Sequence, residues 1–463
     1  MDLQQWILTL LPSWFKIPSR PMIRHVIYGI FLGFSLSLVS TSIALFFQRR
    51  KQERIAAQFE PRPIELRSDE VLKGVTGLIG NTPLVRINSL SNALGIEILA
   101  KAEFLNPGGS VKDRVALRMI DDAEREGLIH PHTGSRIFEG TVGSTGISIA
   151  TIARARGYDA TIIMPDDVAQ EKVQALLSLG AEVQRVRPAS IVDKKQVGIY
   201  NIARQRALEF GKEEPCSRPH LVSSSSSTVV VLTGDDDDTD PLKHEQFVLK
   251  PRGYFADQFE NLSNFNAHFE GTGPEIWRQT NGRLNAFVSG AGTIAGIGRY
   301  VKSMNEDVVV ALTDPEGSGL YNKVKHDVMF DSRESEGTKR RHQVDTVVEG
   351  IGINRLTKNI ELALPIIDDA FRITDAEAVS MSRYLVQNDG LFLGSSSACN
   401  LVACIKLAKK MGWKEGQTIV TVLCDSGNRH YSKVSLANDE YLAKAGISAD
   451  MSIVEGLLLQ PPA

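Results

Sequence analysis

From about Val75 onward, short apolar runs alternate with longer stretches whose apolar positions recur at helical spacing. In order they read EILAKAEF, VALRMIDDAEREGLI, SRIFEG, GISIATIARARG, ATIIMP, EKVQALLSLG and AEVQRV. Strand, helix, strand in repetition predicts an α/β fold built on parallel sheet. In such a sheet ligands bind in the loops beyond the carboxyl ends of the strands. Glycine-bearing loops after strands are therefore the first places to look for chemistry.

Two stretches break the rhythm. Residues 213–253 hold SSSSST from Ser223 to Thr228, then VVVLTG, then four aspartates from Asp235 to Asp238. Such polar runs bury too little apolar surface to pay for ordering, so the segment is expected to be a mobile surface insertion. The aspartates lack the glycine and final glutamate of an EF-hand, which argues against a calcium site. DSRESEGTKRRHQ, Asp331 to Gln343, is expected to be a solvated connector.

Ahead of the alternating region, Val26 to Phe47 is an uncharged, mostly apolar run of 22 residues, close to the ~20 that a membrane-crossing helix needs. A cleaved signal would have a shorter apolar region lying nearer the N-terminus. An uncleaved anchor is expected, preceded by an interfacial segment at 1–25 and followed by a basic linker at 48–70. Lys16, Arg20 and Arg24 precede the run; Arg49, Arg50, Lys51 and Arg54 follow it. The excess after the span favours a cytosolic face for the large C-terminal part.

The chain has 463 residues, enough for two packed domains, and 42% are hydrophobic, which allows a full core. With 52 Lys+Arg against 55 Asp+Glu the net charge is −3, so there is no global positive field to attract nucleic acid. Cys216, Cys399, Cys404 and Cys424 form no CxxC pair, and His342 and His430 stand apart in the sequence. No metal site is expected.

The most informative local string is LAKAEFLNPGGSVKDRVALRMI. It predicts a strand ending at Phe104, a turn at Pro107 to Gly109, and a helix opening near Ser110, with Ser110 as its cap. Lys112 then falls in the first helical turn, where the dipole disfavours a cation and would lower the amine pKa, as suits a Schiff-base lysine. The alternative is a surface lysine beside Asp113 and Arg114.

At this point a family resemblance appears. IGNTPLVRI with Asn81 to Leu84, NPGGSVKDR from Asn106 to Arg114, and EGTVGSTG from Glu139 to Gly146 carry it. So do GPEIW with Pro274 to Trp277, DPEGS from Asp314 to Ser318, and CDSGNRHYSK with Asp425 to Gly427. In order and spacing they resemble the cysteine synthase / cystathionine β-synthase family of pyridoxal-phosphate enzymes, most of all its membrane-anchored fungal branch. The resemblance runs from about Val71 to Leu442. It implies the two-domain α/β fold of PLP fold type II, like the tryptophan synthase β subunit. An N-terminal domain at 71–260 would carry the Schiff-base lysine, a C-terminal domain at 261–445 the phosphate loop, and 446–463 a tail.

The resemblance also implies roles. Lys112 would hold pyridoxal 5′-phosphate and act as the base. Thr141, Gly143 and Thr145 would bind the amino-acid substrate's carboxylate, with Gln258 approaching it. Ser144 would contact the cofactor's ring hydroxyl, and Ser396 would face its pyridine nitrogen. Two positions depart from the usual TSGNTG string, Val142 in place of a serine and Ser144 in place of an asparagine. In the phosphate loop Gly290, Gly292 and Thr293 are the candidates, but Ile294-Ala295-Gly296 follows where relatives have a further Gly-Gly-Thr, so about three residues are missing.

The implied reaction is β-replacement on O-acetylserine with sulfide, giving cysteine, in a homodimer at the mitochondrial outer membrane. Two alternatives remain at this point. DPEGS suggests a cystathionine β-synthase-type condensation of serine and homocysteine, and the shortened loop suggests a tethered scaffold without cofactor.

Overall fold

The structure, a computed structural model, describes residues 71–166, 168–186, 198–211, 220–223, 229–232, 250–329, 346–430 and 450–461, with parts of 28–50. The chain divides into two compact units, Met1–Pro63 and Ile64–Ala463. In the first, the described residues of the expected span are helical and exposed; the rest of 26–47, with 1–25 and 51–63, lies outside the described residues. Among the described residues no helix is long and apolar enough to cross a membrane.

The second unit holds two main sheets. Strands β1 (Leu84–Arg86), β2 (Glu97–Ala102), β3 (Arg136–Gly140), β4 (Asp159–Pro165), β5 (Glu182–Val186), β6 (His220–Ser223) and β7 (Val229–Leu232) come first. They are followed by β8 (Gly253–Phe255), β9 (Ala286–Ser289), β10 (Val309–Pro315), β11 (Asp369–Ile373) and β12 (Thr418–Leu423). The smaller sheet, in order β5-β4-β3-β8, is parallel throughout. The larger, β1-β2-β12-β9-β10-β11, is parallel except for the β1–β2 pair. β3 and β4 are buried on both faces beyond their first residue, which is why they read as unbroken apolar runs.

The helices that position the site are α1 (Lys112–Arg125), α2 (Ser144–Arg156), α3 (Gln170–Ser178), α4 (Ile199–Glu209) and α5 (Gly273–Gln279). α6 (Ala291–Met304), α7 (Asp375–Asp389), α8 (Ser395–Met411) and α9 (Ser452–Leu459) complete them. α2 ends at Gly157, whose left-handed φ of 74° closes the last turn, and α7 starts at a Thr374–Glu377 capping box. One core, around Ile98, Val288, Leu401 and Ile419, belongs to the larger sheet; another, around Ile120, Ile137, Ile149 and Ile162, to the smaller.

The sheets do not divide where the sequence suggested, near residue 260. β1 and β2 leave the N-terminal half and extend the C-terminal sheet, with β2 pairing along its whole length with β12. The 446–463 tail contains α9, whose Val454 is fully buried in the larger core. Of the expected insertion at 213–253, residues 220–223 and 229–232 pair as an antiparallel hairpin, and Gly253 is a buried residue of β8. The tetra-aspartate run, Cys216 and the 331–343 connector with His342 lie outside the described residues.

Candidate active site

Sequence strings far apart in the chain meet in one largely buried ion cluster. Arg114 of α1 donates to both oxygens of Glu103, at 2.7 and 2.8 Å, and to both oxygens of Glu275, at 2.7 and 2.8 Å. The Thr82 hydroxyl donates to Glu103 at 2.7 Å, and Lys101 pairs with Glu275 at 2.6 Å. The Asn-Thr-Pro, Lys-Asp-Arg and Gly-Pro-Glu strings are therefore one brace, and it fixes the start of α1.

Lys112 is the first residue of that helix, at the carboxyl end of β2. The expected cap, Ser110, is displaced by one residue. Val111 takes the cap position with no side-chain bond, and the Ser110 hydroxyl accepts from the Lys112 amide at 3.3 Å. The Val111 amide donates to the Cys424 carbonyl at 2.8 Å, tying the lysine to the end of β12. Burial lowers the Lys112 amine pKa, against the opposing pull of Cys424 and Asp425. Desolvation is the leading cause. Lys112 is half-buried, and its neighbours Asp113 and Arg114 are buried, which speaks against the surface-lysine alternative.

The string from Thr141 to Thr145 connects β3 to α2, with Gly143 at the cap position. The Gly143 amide donates to the Thr141 hydroxyl at 3.3 Å, and Gly143 adopts a φ of 142° that side chains rarely take. Thr145 donates its hydroxyl proton to Gln258 Oε1, so the structure brings Gln258, just beyond β8, onto this loop. Val142, in place of a serine, is partly buried and packs against the smaller core, a position that rewards an apolar side chain. Ser144 opens α2 and is half-buried.

Asn264 extends the contact. Its amide group donates to the Gln258 carbonyl at 2.8 Å, and a Cβ added to Gly292 would lie 3.1 Å from that same nitrogen. Gly290 is the single residue between β9 and α6 and caps the helix without a side-chain bond. A Cβ there would lie 2.9 Å from Ile351 Cγ2 and 3.0 Å from the Thr313 carbonyl oxygen. Thr293 is buried in the first turn.

Ser396 lies in the first turn of α8, which starts at Ser395, three residues before the expected Ala398. The Ser397 hydroxyl accepts from the Cys424 amide at 2.8 Å, and the Ser396 hydroxyl bonds the Cys424 thiol, whose pKa burial pushes up to about 12. Cys424 thus joins the Lys112 and Ser396 segments. Cys399 and Cys404 are fully buried core residues.

Sequence reasoning missed Asn264, Lys172, Glu349 and Cys424, and it treated His430 as isolated. His430 is buried between Asp425, whose Oδ2 is 2.9 Å from Nε2, and Glu349, whose Oε2 is 3.3 Å from Nδ1. Burial alone would lower the imidazole pKa, but Asp425 and Glu349 raise it to about 9. Glu349 also pairs with Lys172 of α3, and burial's upward push on its carboxyl is overcome by these two cations. The one sequence signal for Glu349 was the glycine at 350 and again at 352. Among the described residues no group of three or more His, Cys, Asp or Glu could hold a metal ion.

The residues present suit the cofactor that the resemblance implies. A buried amine of lowered pKa stands at a strand's carboxyl end, as an imine-forming lysine requires. Across the site, an uncapped helix start offers free backbone N–H groups, and Gly290 and Gly292 lie where a Cβ would crowd Thr313 and Asn264. Asn264 Oδ1 is buried there without a partner. The shortened loop keeps these anion-binding elements.

The family described as "Pyridoxal-phosphate dependent enzyme" matches residues 75–222 and 212–425. "Cysteine synthase 2" of Schizosaccharomyces pombe is 50% identical over 409 residues, covering 88% of this chain and 93% of its own. A Saccharomyces cerevisiae protein named "Putative mitochondrial cysteine synthase" is 43% identical over 402 residues, 86% of this chain and 91% of its own. Among solved structures, an O-acetylserine-dependent cystathionine β-synthase from Helicobacter pylori superposes with a TM-score of 0.58 at 27% identity, covering 79% of this chain and 98% of that one.

Proposed function

The chain belongs to the pyridoxal-phosphate-dependent enzyme family, and from that premise we propose that it makes cysteine by replacing the acetoxy group of O-acetylserine with sulfide. It has the two-domain α/β architecture of PLP fold type II, and it is a pyridoxal-phosphate-dependent cysteine synthase, a transferase. The observation that supports the site assignment is the half-buried Lys112 at the start of α1, tied through the Val111 amide to the Cys424 carbonyl at the end of β12, with its amine pKa lowered by desolvation.

When bound, pyridoxal phosphate supplies an electron sink for negative charge at the substrate's α-carbon, and Lys112 would hold it through its side-chain nitrogen. Gly290, Gly292, Thr293 and the first amides of α6 would hold its phosphate, Ser144 its ring hydroxyl and Ser396 its pyridine nitrogen. Ser396 offers that nitrogen a hydroxyl rather than a carboxylate, which suits β-replacement better than transamination. Thr141, Gly143, Thr145 and Gln258 would orient the amino acid by its carboxylate.

Lys112 Nζ would take the α-proton of the bound amino acid; burial favours its neutral, proton-accepting form. Lys112 would return the proton to the α-carbon of the product in which sulfide has taken the place of acetate.

The relatives' names support cysteine synthesis over the serine–homocysteine condensation, and the intact anion-binding elements speak against a cofactor-free scaffold. Small amino-acid and sulfide substrates fit the family, and we add a homodimer to the proposal. We also propose that 26–47 anchors the enzyme in the mitochondrial outer membrane with the catalytic unit facing the cytosol. Its apolar run and the mitochondrial name of the yeast relative support this. Protease added to sealed mitochondria should then digest the catalytic unit.

The decisive test of the site is borohydride reduction of the purified enzyme followed by peptide mass spectrometry. A reduced adduct on Lys112, and loss of the visible absorption band in Lys112→Ala, are expected. An adduct on another lysine, or none with added cofactor, overturns the assignment.

A further inference from the structure

Four ionisable side chains form a continuous buried line from the end of β12 to the loop after β3. Asp425 meets His430 at 2.9 Å, His430 meets Glu349 at 3.3 Å, and Glu349 pairs with Lys172. The Lys172 stem lies against the loop itself, since a Cβ added to Gly143 would be 2.5 Å from Lys172 Cδ. His430 and Lys172 are only 4% and 3% exposed. Glu349 is pinned at its other end, where its amide donates to the Ser395 hydroxyl at 3.1 Å, next to Ser396. Gly394 cannot be replaced beside this line, because a Cβ there would fall 2.1 Å from Asp425 Oδ1.

We infer that His430 is a positioning residue for the amino-acid substrate: held between Asp425 and Glu349, it keeps Glu349 on Lys172 and so keeps the Gly143 loop ready for the substrate's carboxylate. This rests on the reading of Thr141 to Thr145 as the carboxylate loop. The charge count gives the reason. With His430 protonated, two carboxylates are balanced by two cations along the line. When His430 is neutral the line carries one excess negative charge, buried where screening is weak, beside the place an anionic group must enter. The groups facing His430 are Asp425, Glu349 and Lys172; Arg429 and Lys112 in turn face Asp425. Its raised pKa agrees with a charged imidazole at neutral pH.

The test is calorimetric titration of the full-length holoenzyme with L-alanine, which carries the carboxylate but no leaving group, at pH 7 and at pH 9.5. His430→Gln should bind about tenfold more weakly than wild type at pH 7, with the gap closing at the higher pH, as expected for loss of one charge-assisted contact. In turnover the same variant should raise KM for the amino acid while leaving kcat within about twofold. His430→Lys, which restores a cation, should recover most of the affinity. If His430→Gln does not fold, Lys172→Gln, which likewise leaves one carboxylate of the line unbalanced, should weaken L-alanine binding at pH 7 to a similar extent, and wild-type affinity in that variant overturns the inference. Wild-type affinity in a folded His430→Gln overturns the inference. Thr145→Val separates the two claims. If it weakens L-alanine binding while His430→Gln does not, the His430 inference alone fails; if Thr145→Val binds normally, the carboxylate-loop reading fails with it.

Discussion

Arg114 grips Glu275 through two parallel hydrogen bonds, Nη1 to Oε1 at 2.7 Å and Nη2 to Oε2 at 2.8 Å, with both side chains largely out of solvent. The same guanidinium serves Glu103, so removing it takes the shared cation from both carboxylates and leaves Glu275 with Lys101 alone. Arg114→Met should destabilise the fold by about 3–5 kcal/mol in urea denaturation, the usual cost of uncoupling a buried pair.

The pair also sets acid stability. Burial alone would raise the Glu275 pKa, but Arg114 and Lys101 hold it well below the ordinary value of 4.5. A depressed carboxyl contributes stability above its unfolded pKa and loses it as the pH falls toward the folded one. Wild type should therefore lose thermal stability below about pH 4.5, and Glu275→Gln should show a shallower acid decline.

Gly290 leaves no room for a side chain between β9 and α6, with a backbone oxygen and Ile351 both about 3 Å from an added Cβ. Gly290→Ala should push the helix start out of line at a cost of about 1–3 kcal/mol, weakening cofactor affinity roughly tenfold or more. Titration of the apoprotein with pyridoxal phosphate, followed by absorbance, measures it.

Thr145 and Gln258 are joined across 113 positions of chain by a buried hydrogen bond. Thr145→Val keeps the volume but leaves the Gln258 oxygen unpaired, and KM for O-acetylserine should rise about tenfold with a smaller change in kcat. Gln258→Ala should act in the same direction. Steady-state kinetics with varied O-acetylserine decides both.

His430 predicts a stability change in the alkaline range. Its pKa is raised from 6.5 to about 9, so its contribution is fully present below pH 6.5 and is lost as the pH rises through about 9. The melting temperature of wild type should exceed that of His430→Gln at pH 6, and the difference should shrink steadily up to pH 10.

The amino-acid sequence by itself determined the local elements. Unbroken apolar runs such as ATIIMP became doubly buried strands, helical spacing became α1, α2 and α3, and the Pro-Gly-Gly turn delivered Lys112 to a strand's carboxyl end. These features depend on neighbours a few residues apart, whose period and turn chemistry are written in order along the chain. The shortened glycine loop was legible for the same reason, although its consequence was not.

Only the tertiary structure decided what meets what. β2 joined the sheet of β12, and Lys172 found Glu349 177 residues away, because those choices satisfy burial and charge compensation in the packed interior. No local pattern marks Asp425, His430, Glu349 and Lys172 as one line, since each is an ordinary polar residue until water is excluded around it. Low effective dielectric then makes partners obligatory, and the fold supplies them.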